Sequence, residues 1–433
     1  MMRWLQTASL VLLLSAGCQA DDPAPPATSA PGTGGRGAGG AAGSGGQGPG
    51  AGGSPTAPSG GSGGGNPRGG GAPGGNDGGG GNLGSSNLDA SVTPAVDAPT
   101  TPGTGGTPAM PPPVDPAASF RIYWIDAEGG AATLLIGPGN ETLLADTGWT
   151  GARDVGRIVA VLEQETGKRK LDYFLATHYH DDHIGGAPEL AAAVTITNFI
   201  DHGATVETSD EFDVYYRTAL TKAMAAAKRI TAQPGMKIML GPVALTIAAA
   251  AGKTAALPTA AANPACAGAT VTQDDPDEDP QSVGFVARWN SFDFVALGDL
   301  TAGAEHKLAC PTNQLGPIDL FQASQHGSDE SNAPQLLRGL GPQVIVFNNG
   351  ADKGGDAMVF ERARANPGIK DVWSLHRKPR NSATANADEA LTANITSAGG
   401  ADQGFFIRAA VKADGTFTVT NGRTNQARSY TSR

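Results

Sequence analysis

The chain has 433 residues, a formal net charge of −11, 63 Gly and 31 Pro. Residues 1–117 hold 32 of the Gly and 17 of the Pro, and no Phe, Trp or Tyr occurs from Asp22 to Ala117. That composition excludes a folded domain there, because such a stretch cannot bury enough apolar surface to offset its chain entropy. Residues 118–433 carry 27 Lys and Arg against 35 Asp and Glu, a net charge of −8. They are long enough for one large domain with a well-buried core. Their acidity excludes a general pull on nucleic acid or anionic lipid, so no strong nucleic-acid surface is expected beyond a local basic patch.

In chain order, Met1–Gly17 comes first, with an early cation at Arg3 and the apolar run Leu10–Leu14. The run is far shorter than the roughly 20 residues of a membrane span, and it reads as an export signal. Ser15-Ala16-Gly17-Cys18 resembles a bacterial lipobox, in which the cysteine is lipidated. Ser15 stands where a Leu is usual. A plain signal peptide with an incidental Cys18 is the alternative; the place of Cys18 directly after the apolar run favours lipidation. Residues 18–117 then read as a disordered Gly/Pro/Ser-rich tether that holds the domain off a membrane surface. The expected location is the bacterial cell envelope, with the lipid as the only membrane contact. Cys266 and Cys310 remain, and an exported protein with an even pair suggests one disulfide, two free thiols being the alternative.

From residue 118, short alternating or apolar runs predict strands over Phe120–Asp126, Ala132–Ile136 and Thr142–Asp146. Val155, Ile158, Val159 and Leu162 predict a helix over Asp154–Thr166. Tyr173–Ala176 reads as a strand, Glu189–Ala193 as a short helix and Thr197–Ile200 as a strand. Glu211–Arg229 reads as a long helix. A hairpin follows (Lys237–Leu240 and Val243–Ala248), then a loop from Ala249 to about Pro280. Val283–Trp289 and Phe292–Leu297 form a strand pair. Asp319–Ala323, Val344–Asn348 and Val372–Trp373 read as strands with helices between. Phe405–Val411 and Thr416–Thr420 read as a terminal hairpin around Asp414-Gly415. Strands interleaved with helices imply a layered α/β domain.

The chain has only seven His, and three fall within His178-Tyr179-His180-Asp181-Asp182-His183. Imidazole and carboxylate are both ligands of zinc and similar divalent ions. A loop that leaves a strand can aim several of them at one point.

The segment Thr177–Gly186 resembles the metal-binding signature of the metallo-β-lactamase superfamily. Leu144–Gly148 resembles its early strand-end Asp motif, Leu297-Gly298-Asp299 its later strand-end Asp, and Ser324–Ser328 its late His motif. The resemblance spans roughly Phe120 to Trp373 and implies a four-layer αββα sandwich over 118–433. Tyr123–Leu135 and Gln281–Phe285 are similar to the ComEC-like hydrolase domain of DNA-uptake proteins. That group often carries two adjacent His before the Gly-Ser, and here the first is Gln325. Its usual Gly-Gln-Gly-Asp turn is Glu128-Gly129-Gly130-Ala131 here, which leaves a shared substrate open.

By position, the resemblance implies two divalent metal ions, zinc or manganese. His178 and His180 would hold the first, Asp182, His183 and His326 the second, and Asp299 would bridge them. His202 stands where the family often supplies a third ligand to the first ion; an ordinary loop histidine is the alternative. Asp146 would orient the ligand loop, and Ser328 and Asn332 are weak candidates for substrate contacts. Asp182 and Asp299 would carry the chemistry, attack by a metal-bridging hydroxide.

His306 and His376 are expected to be surface or packed histidines. The acidic run Asp274–Asp279 lacks the glycine and spacing of a calcium loop and is expected to be solvated. The resulting expectation is an exported metal-dependent hydrolase of phosphodiesters. An ester or lactone hydrolase of the same fold is the alternative, and so is a surface module that binds metal without turnover.

Overall fold

The structure is a computed structural model, and it describes residues 119–206, 218–270, 273–274, 276–396 and 403–433. The export signal, Cys18 and the tether lie outside the described residues.

The first half runs β1 (Ser119–Trp124), β2 (Thr133–Ile136), β3 (Thr142–Ala145), α1 (Ala152–Thr166), β4 (Lys170–Leu175), α2 (Asp181–Ile184), α3 (Ala187–Ala193), β5 (Thr195–Asp201), α4 (218–223) and β6 (Lys228–Thr231). Next come β7 (Lys237–Leu240), β8 (Val243–Ala250), β9 (Lys253–Thr254), β10 (Ala261–Ala262), β11 (Gly284–Trp289), β12 (Phe292–Ala296), α5 (Ala302–Ala309) and β13 (Thr312–Asn313). The last part holds β14 (Leu320–Gln322), α6 (Pro334–Leu340), β15 (Val344–Phe347), α7 (Ala357–Ala365), β16 (Asp371–His376), β17 (Thr392–Asn394), β18 (Ile407–Lys412), β19 (Thr416–Asn421) and β20 (Ala427–Thr431).

One sheet follows the order β20-β19-β18-β1-β2-β3-β4-β5-β6, and the other β17-β16-β15-β14-β12-β11-β8-β7. Strand alternation explains why they stack. In β1, Phe120, Ile122 and Trp124 point into the core shared by both sheets, and Tyr123 points to the opposite layer. In β12, Phe292, Phe294 and Ala296 enter the shared core while Val295 faces the layer of α5, α6 and α7. Val155, Ile158, Val159 and Leu162 of α1 cover the outer face of the first sheet. The result is the expected αββα sandwich.

Two polar contacts cross the central core. Gln322 Oε1 accepts from Trp124 Nε1 and Thr133 Oγ1, both at 2.9 Å. Cys266 and Cys310 are bonded, with Cα atoms 5.7 Å apart, and join the turn Pro264–Cys266 to the end of α5.

Some boundaries differ from expectation. Of the predicted helix Glu211–Arg229, residues 211–217 lie outside the described residues and 218–223 are helical. Its last two residues, Lys228 and Arg229, instead begin the strand Lys228–Thr231, paired parallel with β5. The β-branched Ile230 and Thr231 suit a sheet edge, and ladder hydrogen bonds from β5 override the helical spacing. The short strands β17 and β20 were also not expected.

Asp293 on β12 sets a pH dependence. Burial raises its pKa, Arg288 Nε at 3.1 Å pulls it back and Asp319 pushes it up again, to about 6. The folded pKa lies above the ordinary value, so stability from this group is full below about pH 4 and lost as pH rises through about 6. Asp293→Asn does not titrate. Urea melts are expected to show its stability relative to wild type rising by about 1–2 kcal/mol between about pH 4 and 7.5. A difference that stays flat with pH would remove this role from Asp293.

Candidate metal centre

The cluster forms where strands of both sheets end at one edge of the sandwich. Asp146 follows β3, Thr177–His183 follow β4, Asp299 follows β12 and His326 follows β14. Loops that leave strand ends of a packed sandwich converge here on rigid supports.

Three imidazoles present nitrogens inward while the other ring nitrogen is engaged outside. His183 Nδ1 lies 2.8 Å from Asp146 Oδ2, and the same carboxylate accepts from Thr177 N and Thr177 Oγ1, each at 2.8 Å. His326 Nδ1 is 3.3 Å from the Asn348 carbonyl. His178 Nδ1 meets Thr177 Oγ1 at 3.1 Å and Ser282 Oγ at 3.4 Å. Such outer partners fix ring orientation and leave a lone pair facing the centre.

On one side of the centre, His183 Nε2 is 3.1 Å from His326 Nε2. Asp182 Oδ2 lies 3.3 and 3.0 Å from those two nitrogens, and Asp299 Oδ2 lies 3.3 and 3.2 Å from them. On the other side, His178 Nε2 is 3.0 Å from His180 Nδ1. Asp279 Oδ1 sits 3.3 and 2.9 Å from these. The donor atoms of His178, His180 and Asp279, of His178, His183 and Asp299, and of Asp182, His183 and His326 each gather within 4.8 Å.

The charges of the cluster depend on one another. Burial raises the Asp182 and Asp299 pKa values, but His183 and His326 outweigh it and hold both well below the usual carboxylate range. Burial pulls His183 down, yet Asp299, Asp182 and Asp146 drive it well above the ordinary imidazole value. Burial and His183 together keep His178 low. Asp279 is lowered to about 2, its burial outweighed by His178 and His180. Close nitrogens around buried carboxylates are a donor set that divalent cations satisfy.

Strained backbone concentrates here. Asp146, Gln325, His326 and Asn332 have φ of 63°, 47°, 53° and 57°. Left-handed residues other than Gly persist where surrounding contacts over-determine them.

The structure thus brings His178, His180, Asp182, His183, Asp299 and His326 together, with Asp146 directly behind His183. It does not bring in His202. The His202 Nε2 lies 2.9 Å from Glu278 Oε2, and its ring packs on Tyr179 at 4.4 Å. Glu278 in turn accepts from Thr205 Oγ1 and Val206 N, so His202 is committed to a buried carboxylate. Asn332 is also not placed for substrate. It is fully buried, and its amide bonds Ser324 N, Ser324 O and Ser328 O, which braces the His326 loop. Ser328 stays half-buried beside that loop.

Sequence reasoning missed Asp279, which it placed in a solvated run. The signal available was its position just before Pro280 and Gln281-Ser282-Val283, a segment that already bore a resemblance. His376, expected as a surface or packed histidine, is a packed one. His376 is buried and lies 2.6 Å from Asp126 Oδ1, which Glu128 N also meets at 2.8 Å.

Residues 126–254 match the family model described as the metallo-beta-lactamase superfamily. Lactamase-like protein nscB of Trichophyton rubrum is 41% identical over 63 residues, 14% of this chain and 19% of that protein. Lactamase-like protein aptB of Emericella nidulans is 42% identical over 65 residues, 14% of this chain and 20% of that protein. The chain therefore spans about a fifth of the length of these curated relatives. Among solved structures, the metallo-beta-lactamase fold protein YhfI from Bacillus subtilis is 16% identical. That likeness covers 59% of this chain and 96% of the other at a TM-score of 0.39. The motif segment Thr177–Gly186 lies within the family-model match, so residues 126–254 of the chain are similar to the metallo-beta-lactamase superfamily.

Proposed function

We propose that this protein is a dinuclear metal-dependent hydrolase acting on small phosphodiesters. The observation that carries the reading is the donor set, in which the group His178, His183 and Asp299 shares His178 with His180 and Asp279, and His183 with Asp182 and His326. His178, His180 and Asp279 would hold one divalent ion, and Asp182, His183 and His326 the other, with Asp299 between them. Zinc or manganese at these positions would polarise a water and a substrate oxygen. The protein's own groups keep this donor set in place. Asp146 and Thr177 orient His183 and His178, and Ser282 Oγ accepts from Asp299 N at 3.1 Å. The exclusion of solvent around His178, His183 and His326 strengthens every electrostatic contact inside.

An oxygen donor at Asp299 suits a hard, closely paired site, and this supports phosphodiester chemistry over β-lactam chemistry. Asp274, Asp277, Asp329 and Glu330 border a cavity of about 340 Å³ beside Asp279. Those carboxylates disfavour a polynucleotide and leave small substrates, including an ester or lactone as the second choice. The test is metal content of the purified full chain, by elemental analysis, beside turnover of a phosphodiester panel and then of lactones. About two ions per chain with turnover supports the reading. No bound metal after reconstitution with zinc or manganese sinks it and favours another role for the fold.

Export and lipid anchoring at Cys18 belong to the same proposal and rest on Met1–Gly17 and the residues before Cys18. Cys18→Ala is expected to move the protein from the membrane fraction to the soluble one. Unchanged membrane association would refute the anchor.

A further inference from the structure

Lys353 contacts Asp182 Oδ2, and its Nζ lies 5.2 Å from the Trp149 ring centroid. Among the described residues it is the only Lys or Arg whose charged group contacts the donor cluster. Its side chain is 40% exposed, so it touches the centre while staying in reach of solvent. The loop that carries it is held on two sides. Gly350 N donates to the Lys353 carbonyl at 2.9 Å, and Gly355 N to the His326 carbonyl at 2.9 Å. A Cβ at Gly350 would come 2.7 Å from the Glu128 carbonyl, and one at Gly354 2.4 Å from that of His326. Both close approaches need glycine. The loop therefore fixes Lys353 relative to the ligand His326 and to the turn after β1.

We infer that Lys353 is a specificity residue that alternates between Asp182 and the substrate's single anionic group. This rests on the dinuclear reading above. Without metal, the ammonium balances the buried Asp182 carboxylate. If Asp182 held a divalent ion, that ion would supply the balance and the ammonium would be free to move away. The freed ammonium would keep the Trp149 ring beside it and could pair with an anionic substrate oxygen. The opposite side carries Asp277, with Oδ1 3.6 Å from His180 Nε2, and beyond it Asp274, Asp329 and Glu330. One cation facing several carboxylates selects a substrate with one negative charge near the reacting centre, such as a small phosphodiester, and rejects a polyanion.

The test compares wild type, Lys353→Met and Lys353→Arg as full chains, each checked for an unchanged melting temperature. Zinc affinity is read by chelator competition, and binding of inorganic phosphate to the zinc-loaded protein by calorimetry. Lys353→Met is expected to bind the second zinc about tenfold more tightly and phosphate about tenfold more weakly, as loss of one close charge contact implies. Lys353→Arg is expected to restore phosphate binding. Two zinc ions in all three proteins with equal phosphate affinity would overturn the role of Lys353 and leave the dinuclear reading standing. No zinc in any of them would overturn both.

Discussion

Asp299→Ala is expected to lower turnover by on the order of a thousandfold or more and to cut bound metal from about two ions to one. The carboxylate gathers with His178 of one group and His183 of the other. It lies 3.3 and 3.2 Å from His183 Nε2 and His326 Nε2, and its own pKa is held far down by them. Removing it leaves those nitrogens with Asp182 but takes away the second carboxylate, the one that would be shared by two ions. Because Asp299 is buried, water replaces it poorly. The variant should still fold, since its backbone N–H bonds Ser282 Oγ and the flanking Leu297 and Leu300 remain in the core. Asp299→Asn keeps the shape and loses the charge, and it should fall nearly as far. Elemental analysis, a melting curve and steady-state rates on the same preparation check this. Full turnover in Asp299→Ala with two ions bound would end the bridging role.

The parts legible in the sequence were those with a strict local code. Phe120, Ile122 and Trp124 alternate with Arg121 and Tyr123, so β1 and its inward face could be read directly. The ligands in His178–His183 crowd into six residues, and Asp299 and His326 each sit at a strand end. What failed depends on contacts far apart in the chain. Lys228 and Arg229 looked helical because their pairing partner, β5, is about 30 residues away. Asn332 looked like a candidate for substrate contact, yet its amide is consumed by Ser324 and Ser328. Lys353 gave no signal at all, since nothing near it in sequence reveals Asp182, 171 residues away. Asp279 was hidden by its acidic neighbours, which made it resemble a solvated run.

The ligand exchange at the first ion gives the second large effect. Asp279→Ala is expected to weaken the first zinc more than a hundredfold, beyond the 10–100-fold typical of a residue that only supports a ligand. His202→Ala is expected to stay within that smaller range. The geometry argues the difference. Asp279 Oδ1 sits 2.9 Å from His180 Nδ1 and 3.3 Å from His178 Nε2, where an ion would be held. His202 instead spends its Nε2 on Glu278, a carboxylate lowered to about 2 despite its burial because His202 and Thr205 bond it. Glu278 is the residue before Asp279, so His202 supports the ligand through its neighbour. Gln325 completes this arrangement. It stands where the similar hydrolase domain often has a first His, and its Nε2 donates to Asp279 Oδ2 at 2.7 Å. An imidazole missing at 325 and a carboxylate present at 279 are thus parts of one local solution. Chelator competition on both variants decides between them. Strong zinc loss in His202→Ala with little in Asp279→Ala would return His202 to the first ion and leave Asp279 as a counter-charge to His180.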